Sequence, residues 1–150
     1  TEKSGLLAVW SDHGPVIIRW LSGRHAVRTN LGVGTTLPLL TSATGSVFLT
    51  YLPRLQTMDM LKSEISGDSE YPDEIIARVR KSGLGQVVGR HIPGLSAVAA
   101  PILDNNGEAA AVLSLVGLNG GLKEEDFAEL RAVANEASER LGWISTQKQG

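Results

Sequence analysis

The chain has 150 residues, 42% of them hydrophobic, and a formal net charge of −2 at pH 7. This composition predicts one soluble globular domain and excludes both a disordered chain and a basic surface that would hold nucleic acid. The absence of cysteine excludes disulfide scaffolds, thiolate metal sites and thiol catalysis, and it fits a reducing cytoplasm. No apolar run approaches the roughly 18 residues of a membrane span.

The chain is predicted to begin with a β-hairpin. Two apolar runs within residues 5–20 flank the turn-forming residues 12–15, and a third strand is predicted over residues 25–29. Trp10 and Trp20 are placed on facing strands of this hairpin, where we expect their rings to stack.

Three helices are predicted to follow the hairpin. A cluster of small polar residues precedes the first, with Thr41 or Ser42 as its N-cap and Pro53 as its end. Gly83 is a typical residue to end the third. The predicted ranges are 42–52, 55–65 and 73–82.

The second half of the chain contains three predicted strands and a long amphipathic helix. Asp104–Gly107 joins the last two strands through an Asn-Gly pair, which favours a tight hairpin. Apolar residues recur at helical spacing over residues 127–144 and predict one stripe packed on the sheet. The strands are predicted over 84–90, 95–103 and 108–117, so the fold class is α+β around an antiparallel sheet.

Small residues mark two places in this predicted fold. The segment 41–46 at the start of the first helix contains only Thr, Ser, Ala and Gly, and the paired strands carry Ala97, Ala99, Ser114 and Val116 on single faces. Such residues leave space, and a helix N-terminus offers unpaired N–H groups to a carboxylate or phosphate. Tight packing of helix on sheet explains the same residues equally well.

No constellation of catalytic or metal-binding residues is found. The three histidines, His13, His25 and His91, do not stand at metal-ligand spacing, and Glu124–Asp126 has the position of acids that open a helix. The glycine-rich stretches lack the dinucleotide fingerprint, the P-loop and the nucleophile elbow. The sequence therefore predicts no enzyme, no cofactor and no metal.

Three stretches resemble motifs of the IclR-type bacterial transcriptional regulators, in the same order along the chain. They are "TSATGSVFLTYLP", "VRKSGLGQ" and "GLSAVAAPILDNNGEAAAVLSLVG", and the likeness extends from about Gly5 to Trp143. The resemblance implies that residues 1–150 form the effector-binding domain of such a regulator, with a GAF-like antiparallel sheet flanked by helices. It also implies a homodimer or homotetramer that contacts DNA only through an N-terminal winged helix-turn-helix. Because the chain starts without Met, we expect that module to be missing from this fragment.

The resemblance also implies a ligand pocket. The backbone amides of Ala43 and Thr44 are expected to hold an effector carboxylate. The expected pocket walls are Ala26, Thr29, Leu37, Leu95, Ala97, Ser114 and Val116.

Val87 and its neighbours replace acidic residues that the family pattern leads us to expect. A hydroxyl or hydrated aldehyde on the ligand would lose a buried hydrogen bond there, at a cost of roughly 1–3 kcal/mol. We therefore expect an effector more apolar than glyoxylate or pyruvate, such as an aromatic or medium-chain acid. Arg90 or His91 is an alternative partner for its carboxylate, although a solvated loop explains both residues more simply.

The predicted function is effector binding and oligomerisation within a cytoplasmic DNA-binding regulator. The alternative is a dimerisation scaffold whose pocket is vestigial. Saturable binding of a small acid separates the two interpretations.

Overall fold

The computed structural model describes residues 3–23, 31–65, 72–89, 93–118 and 120–143. Within them, five strands form one antiparallel sheet in the order β2-β1-β5-β4-β3. The strands are β1 (Ser4–Ser11), β2 (Gly14–Leu21), β3 (Gly85–Val88), β4 (Leu95–Leu103) and β5 (Ala109–Leu118). The strand predicted over 25–29 lies outside the described residues.

Four helices accompany the sheet in the described ranges, and the α+β prediction is confirmed. They are α1 (Ala43–Tyr51), α2 (Arg54–Glu64), α3 (Pro72–Ser82) and α4 (Glu124–Arg140). Ser42, rather than Thr41, caps α1, because its Oγ accepts the N–H of Gly45 at 2.9 Å. Gly83, at φ 75°, ends α3 as predicted.

The helices lie on opposite faces of the sheet. Val98 packs in one apolar cluster with Leu130 and Ala134 of α4, whereas Ala99 packs with α1 and α3 in the larger cluster. Consecutive strand residues point to opposite faces, so α1 and α4 cover different sides. Helix α1 lies between the sheet and α3 and is buried from Ala43 to Thr50.

The predicted stacking of Trp10 and Trp20 is wrong. The tight turn at residues 12–13 pairs Trp10 with Pro15, so Trp20 lies far along the hairpin opposite Leu6. Trp10 instead contacts Phe48 of α1, with ring centroids 5.8 Å apart. The hairpin is thereby packed on the helix through one aromatic pair.

No helix in the described part of the chain combines the length and the apolar character that crossing a membrane requires.

Candidate functional site

Part of the small-residue segment at the start of α1 serves packing. A Cβ on Gly45 would collide with the carbonyl oxygen of Pro38, so the chain approaches the helix too closely for any side chain. A Cβ on Gly85 of β3 would likewise collide with Ser46. The packing interpretation of this segment therefore holds for Gly45 and Ser46.

Ala43 and Thr44, in the same turn, face a cavity between α1 and the sheet. The space measures about 40 Å³, enough for a few water molecules. Its described lining residues are Leu6, Leu31, Leu37, Ser42, Ala43, Thr44, Val87, Leu95, Ser96, Ala97, Ser114 and Val116.

The cavity is electrically neutral apart from the helix end. None of its described lining residues is ionisable. The side-chain oxygen of Ser42 accepts a hydrogen bond from the N–H of Gly45, and its carbonyl oxygen accepts one from the N–H of Ser46. The N–H groups of Ala43 and Thr44 belong to the first turn and have no intrahelical acceptor. Together with the helix dipole, they favour a negatively charged group at this end of the cavity.

Two hydroxyl groups meet inside the cavity wall. Thr44 Oγ1 and Ser114 Oγ lie 2.7 Å apart, and the two residues are 3% and 0% exposed. Each hydroxyl carries one proton, and their mutual hydrogen bond uses only one of the two. The second O–H is therefore available to an acceptor, either a water molecule or an oxygen of a ligand.

The structure brings together all the predicted pocket residues that it describes, and their role in binding remains a prediction. Leu37, Ala43, Thr44, Val87, Leu95, Ala97, Ser114 and Val116 line the one cavity. The predicted residues Ala26 and Thr29 lie outside the described residues, as do Arg90 and His91.

The prediction missed four lining residues. Leu6 is opposite Ser114 because β1 pairs with β5. These strands are far apart in the sequence, and no local pattern predicts their pairing. Leu31 belongs to a loop without periodicity. Ser42 is predicted as an N-cap and as a member of the small-residue segment 41–46, but not as a wall residue, and Ser96 precedes the predicted wall residue Ala97 on β4.

A second, larger cleft of about 890 Å³ lies between the C-terminal ends of α1 and α3, the β4–β5 turn and α4. Its Arg131 donates to the carbonyl of Ser82 at 2.8 Å, and Arg80 and Lys81 lie in the last turn of α3. Burial raises the pKa of Tyr51 in this cleft, partly offset by the charge of Arg80. Because the basic residues complement a helix C-terminus, no ligand is needed to explain them.

No group of three or more His, Asp or Glu side chains that could hold a metal ion is found in the described ranges. The described geometry thus includes a small, largely apolar cavity at a helix N-terminus and no cluster of metal ligands.

Known proteins resemble this chain over nearly its whole length. It is 27% identical over 141 residues to the transcriptional repressor IclR of Escherichia coli K12 and 26% identical over 140 residues to the acetate operon repressor of Salmonella typhimurium. Each match covers 87% of this chain and 51% of the relative, so the chain spans about half the length of these curated relatives.

Solved structures agree with this likeness. The crystal structure of Pseudomonas aeruginosa HmgR is 30% identical, with a TM-score of 0.87 over 96% of this chain and 61% of that one. The Thermotoga maritima IclR structure, 23% identical, shares the fold with a TM-score of 0.80 over 95% of this chain and 63% of that one. Residues 2–143 also match the family described as bacterial transcriptional regulator IclR C-terminal. This chain therefore belongs to the IclR family of transcriptional regulators and contains its C-terminal domain.

Proposed function

We propose that this domain binds a small monocarboxylic acid with an apolar body and thereby controls a DNA-binding regulator. The observation that supports the proposal is a cavity with no ionisable lining residue among those described, lined on one side by the first turn of α1. The ligand carboxylate lies against the N–H groups of Ala43 and Thr44, and the spare hydroxyl proton of the Thr44–Ser114 pair supplies a further donor.

The walls of the cavity favour an acid more apolar than pyruvate. Val87 on β3 is opposite Ala97 on β4, and neither side chain can pair with a hydroxyl or a hydrated aldehyde. An aromatic or medium-chain acid leaves no polar group unpaired there. A cavity that holds benzene measures about 150 Å³. The cavity here measures about 40 Å³, so its walls must move apart before it can hold an acid of that size.

The ligand acts on the regulator through its unequal affinity for two states of the assembly. We propose that the regulator is a cytoplasmic homodimer or homotetramer. Its two states differ in their affinity for the operator, one high and one low. DNA contact takes place through an N-terminal winged helix-turn-helix, in keeping with the repressor names of the curated relatives. The domain itself catalyses no reaction in this proposal.

The alternative function is a dimerisation scaffold with a vestigial pocket. The small size of the cavity, about 40 Å³, favours this alternative. A scaffold of this kind has no need of a bound acid, so a binding measurement decides between the two.

A thermal-shift screen tests the proposal on this chain. The acids are phenylacetate, hexanoate and pyruvate, and phenylacetamide is the neutral control of matched shape. A ligand at one hundred times its Kd adds about 2.7 kcal/mol, which raises the Tm by several degrees at this chain length. We expect a rise with phenylacetate or hexanoate and none with phenylacetamide. No rise with any acid would support the scaffold.

A further inference from the structure

We propose that Glu64 is a positioning residue for the effector site, an inference that rests on the function proposed above. Glu64 ends α2, and its two carboxylate oxygens accept the N–H of Leu39 at 3.0 and 2.7 Å. One of them also accepts the N–H of Leu40 at 3.0 Å. A single side chain thus holds two consecutive amides of the segment that leads into α1.

The charge of Glu64 stands at the unfavourable end of its own helix. A carboxylate in the last turn opposes the helix dipole, which favours cations there. Leu39 and Leu40 are 0% and 3% exposed, so without Glu64 two buried N–H groups would lose their acceptor. The position of this acid is explained by the contact with residues 39–40 and not by the stability of α2.

Short contacts connect the held amides to the cavity. The Oγ of Ser42 donates to the carbonyl of Pro38 at 2.6 Å and accepts the N–H of Gly45, so Pro38 and the first turn of α1 are joined. The backbone of Gly45 packs directly on Pro38. Leu37, next in the same segment, lines the cavity. Glu64 therefore fixes both a cavity wall and the helix N-terminus.

The helix that carries Glu64 is itself anchored. Leu61 of α2 is buried in the main apolar cluster, and the side chain of Met60 packs against Gly14 in the hairpin turn. Through Glu64, the hairpin turn, α2 and the first turn of α1 form one connected support for the ligand amides.

The test compares the substitutions E64Q, E64D and D59N in this chain. E64Q removes the charge and one acceptor oxygen, whereas E64D keeps the charge and shortens the reach. D59N removes the same charge from an exposed position earlier in α2. The measurements are the Kd for phenylacetate, taken well below the Tm of each variant, and the amide NMR signals of the ligand-free proteins.

We expect E64Q and E64D to weaken phenylacetate binding by about three- to tenfold, as loss of one hydrogen bond would. A pure charge effect has the opposite sign, since removing the anion of Glu64 would strengthen acid binding in E64Q and, more weakly, removing the exposed anion of Asp59 would strengthen it in D59N. A merely structural role would lower the Tm and leave the Kd of the folded protein unchanged. Without ligand, we expect the Ala43 and Thr44 amide signals to move in E64Q and to stay in D59N.

An unchanged or tighter Kd in E64Q would overturn the proposal. Failure of the wild-type chain to bind phenylacetate would instead count against the proposed function. In that case the ligand-free spectra decide alone, and Ala43 and Thr44 signals that coincide in E64Q and wild type would overturn the role of Glu64. If E64Q does not fold, E64D gives the same comparison with the charge retained.

Discussion

In the proposed function, single residues determine which ligand the cavity accepts. Thr44 and Ser114 share one hydrogen bond at 2.7 Å, and the other two hydroxyls of the lining, on Ser42 and Ser96, already donate to backbone carbonyls. A ligand in this cavity would therefore meet one spare hydroxyl proton and many hydrocarbon groups. Ala43 and Thr44 add backbone N–H groups, which would attract any carboxylate and would not distinguish one acid from another. Under the proposed function, selection among acids would therefore depend on the apolar side chains, among them Val87.

Replacing Val87 with Asp is expected to change the ligand preference. The new carboxylate would repel an effector carboxylate and would accept a hydrogen bond from a hydroxyl that valine cannot pair. We expect the ratio of phenylacetate to glycolate affinity, measured by calorimetry, to fall roughly tenfold. The matched control is V88D on the same strand, where the side chain is 67% exposed and lies on the other face. An unchanged ratio in V87D would contradict the assignment of Val87 to the ligand wall.

Replacing Gly45 with alanine is expected to destabilise the protein, whereas the same substitution at most helical glycines stabilises it. Gly→Ala within a helix ordinarily stabilises by about 1 kcal/mol. Here the new Cβ would meet the Pro38 carbonyl and lie 2.7 Å from Leu39 Cα, so we expect a loss of about 1–3 kcal/mol in urea unfolding. G32A is the control, because no heavy atom lies within 4 Å of its added Cβ. A stabilised G45A would contradict the close packing of α1 on residues 38–39.

At the scale of elements, the first turn of α1 combines two tasks that the sequence alone left as alternatives. Gly45 and Ser46 serve the packing against Pro38 and Gly85, and Ala43 and Thr44 face the cavity. Composition leaves the two uses open because both require small side chains. Only the direction of each residue around the helix assigns them, and that depends on where α1 lies on the sheet.

On the opposite face of the sheet, a buried serine of α4 supports the end of β4. Ser138 Oγ accepts the N–H of Leu103 at 2.8 Å and donates to the carbonyl of Ala134 at 2.8 Å, with 1% of the residue exposed. Near this point β4 extends beyond β3 and also contains Pro101, which has no N–H to offer. Ser138 thus satisfies a backbone donor at the end of the strand.

We expect S138A to lower the free energy of unfolding by about 1–3 kcal/mol, because the buried Leu103 N–H loses its acceptor. That loss corresponds to a Tm decrease of a few degrees at this size. S63A is the control, since Ser63 makes a similar bond to the Met60 carbonyl at an exposed position of α2. Equal effects in the two variants would show that burial of the Leu103 amide has no energetic consequence.

At the scale of the whole molecule, local patterns predicted the elements and distant contacts completed the site. The Asn-Gly turn before Ala109 sets the register that places Ala99 opposite Ser114, so the small-faced strands could be foreseen. The pairing of β1 with β5 could not, because no turn joins them. The Glu64 contact spans 25 residues and depends on the course of the loop before α1. Sequence patterns carry no signal for such a contact.

The most direct test of the effector site is an amide NMR titration of this chain with phenylacetate and hexanoate, with phenylacetamide as the neutral control. We expect saturable shifts with at least one acid, largest at the Ala43 and Thr44 N–H groups, and none at these groups with phenylacetamide. Saturable binding that leaves both signals unmoved, or no saturable shift with either acid, would contradict the claim that the α1 N-terminus receives the effector carboxylate.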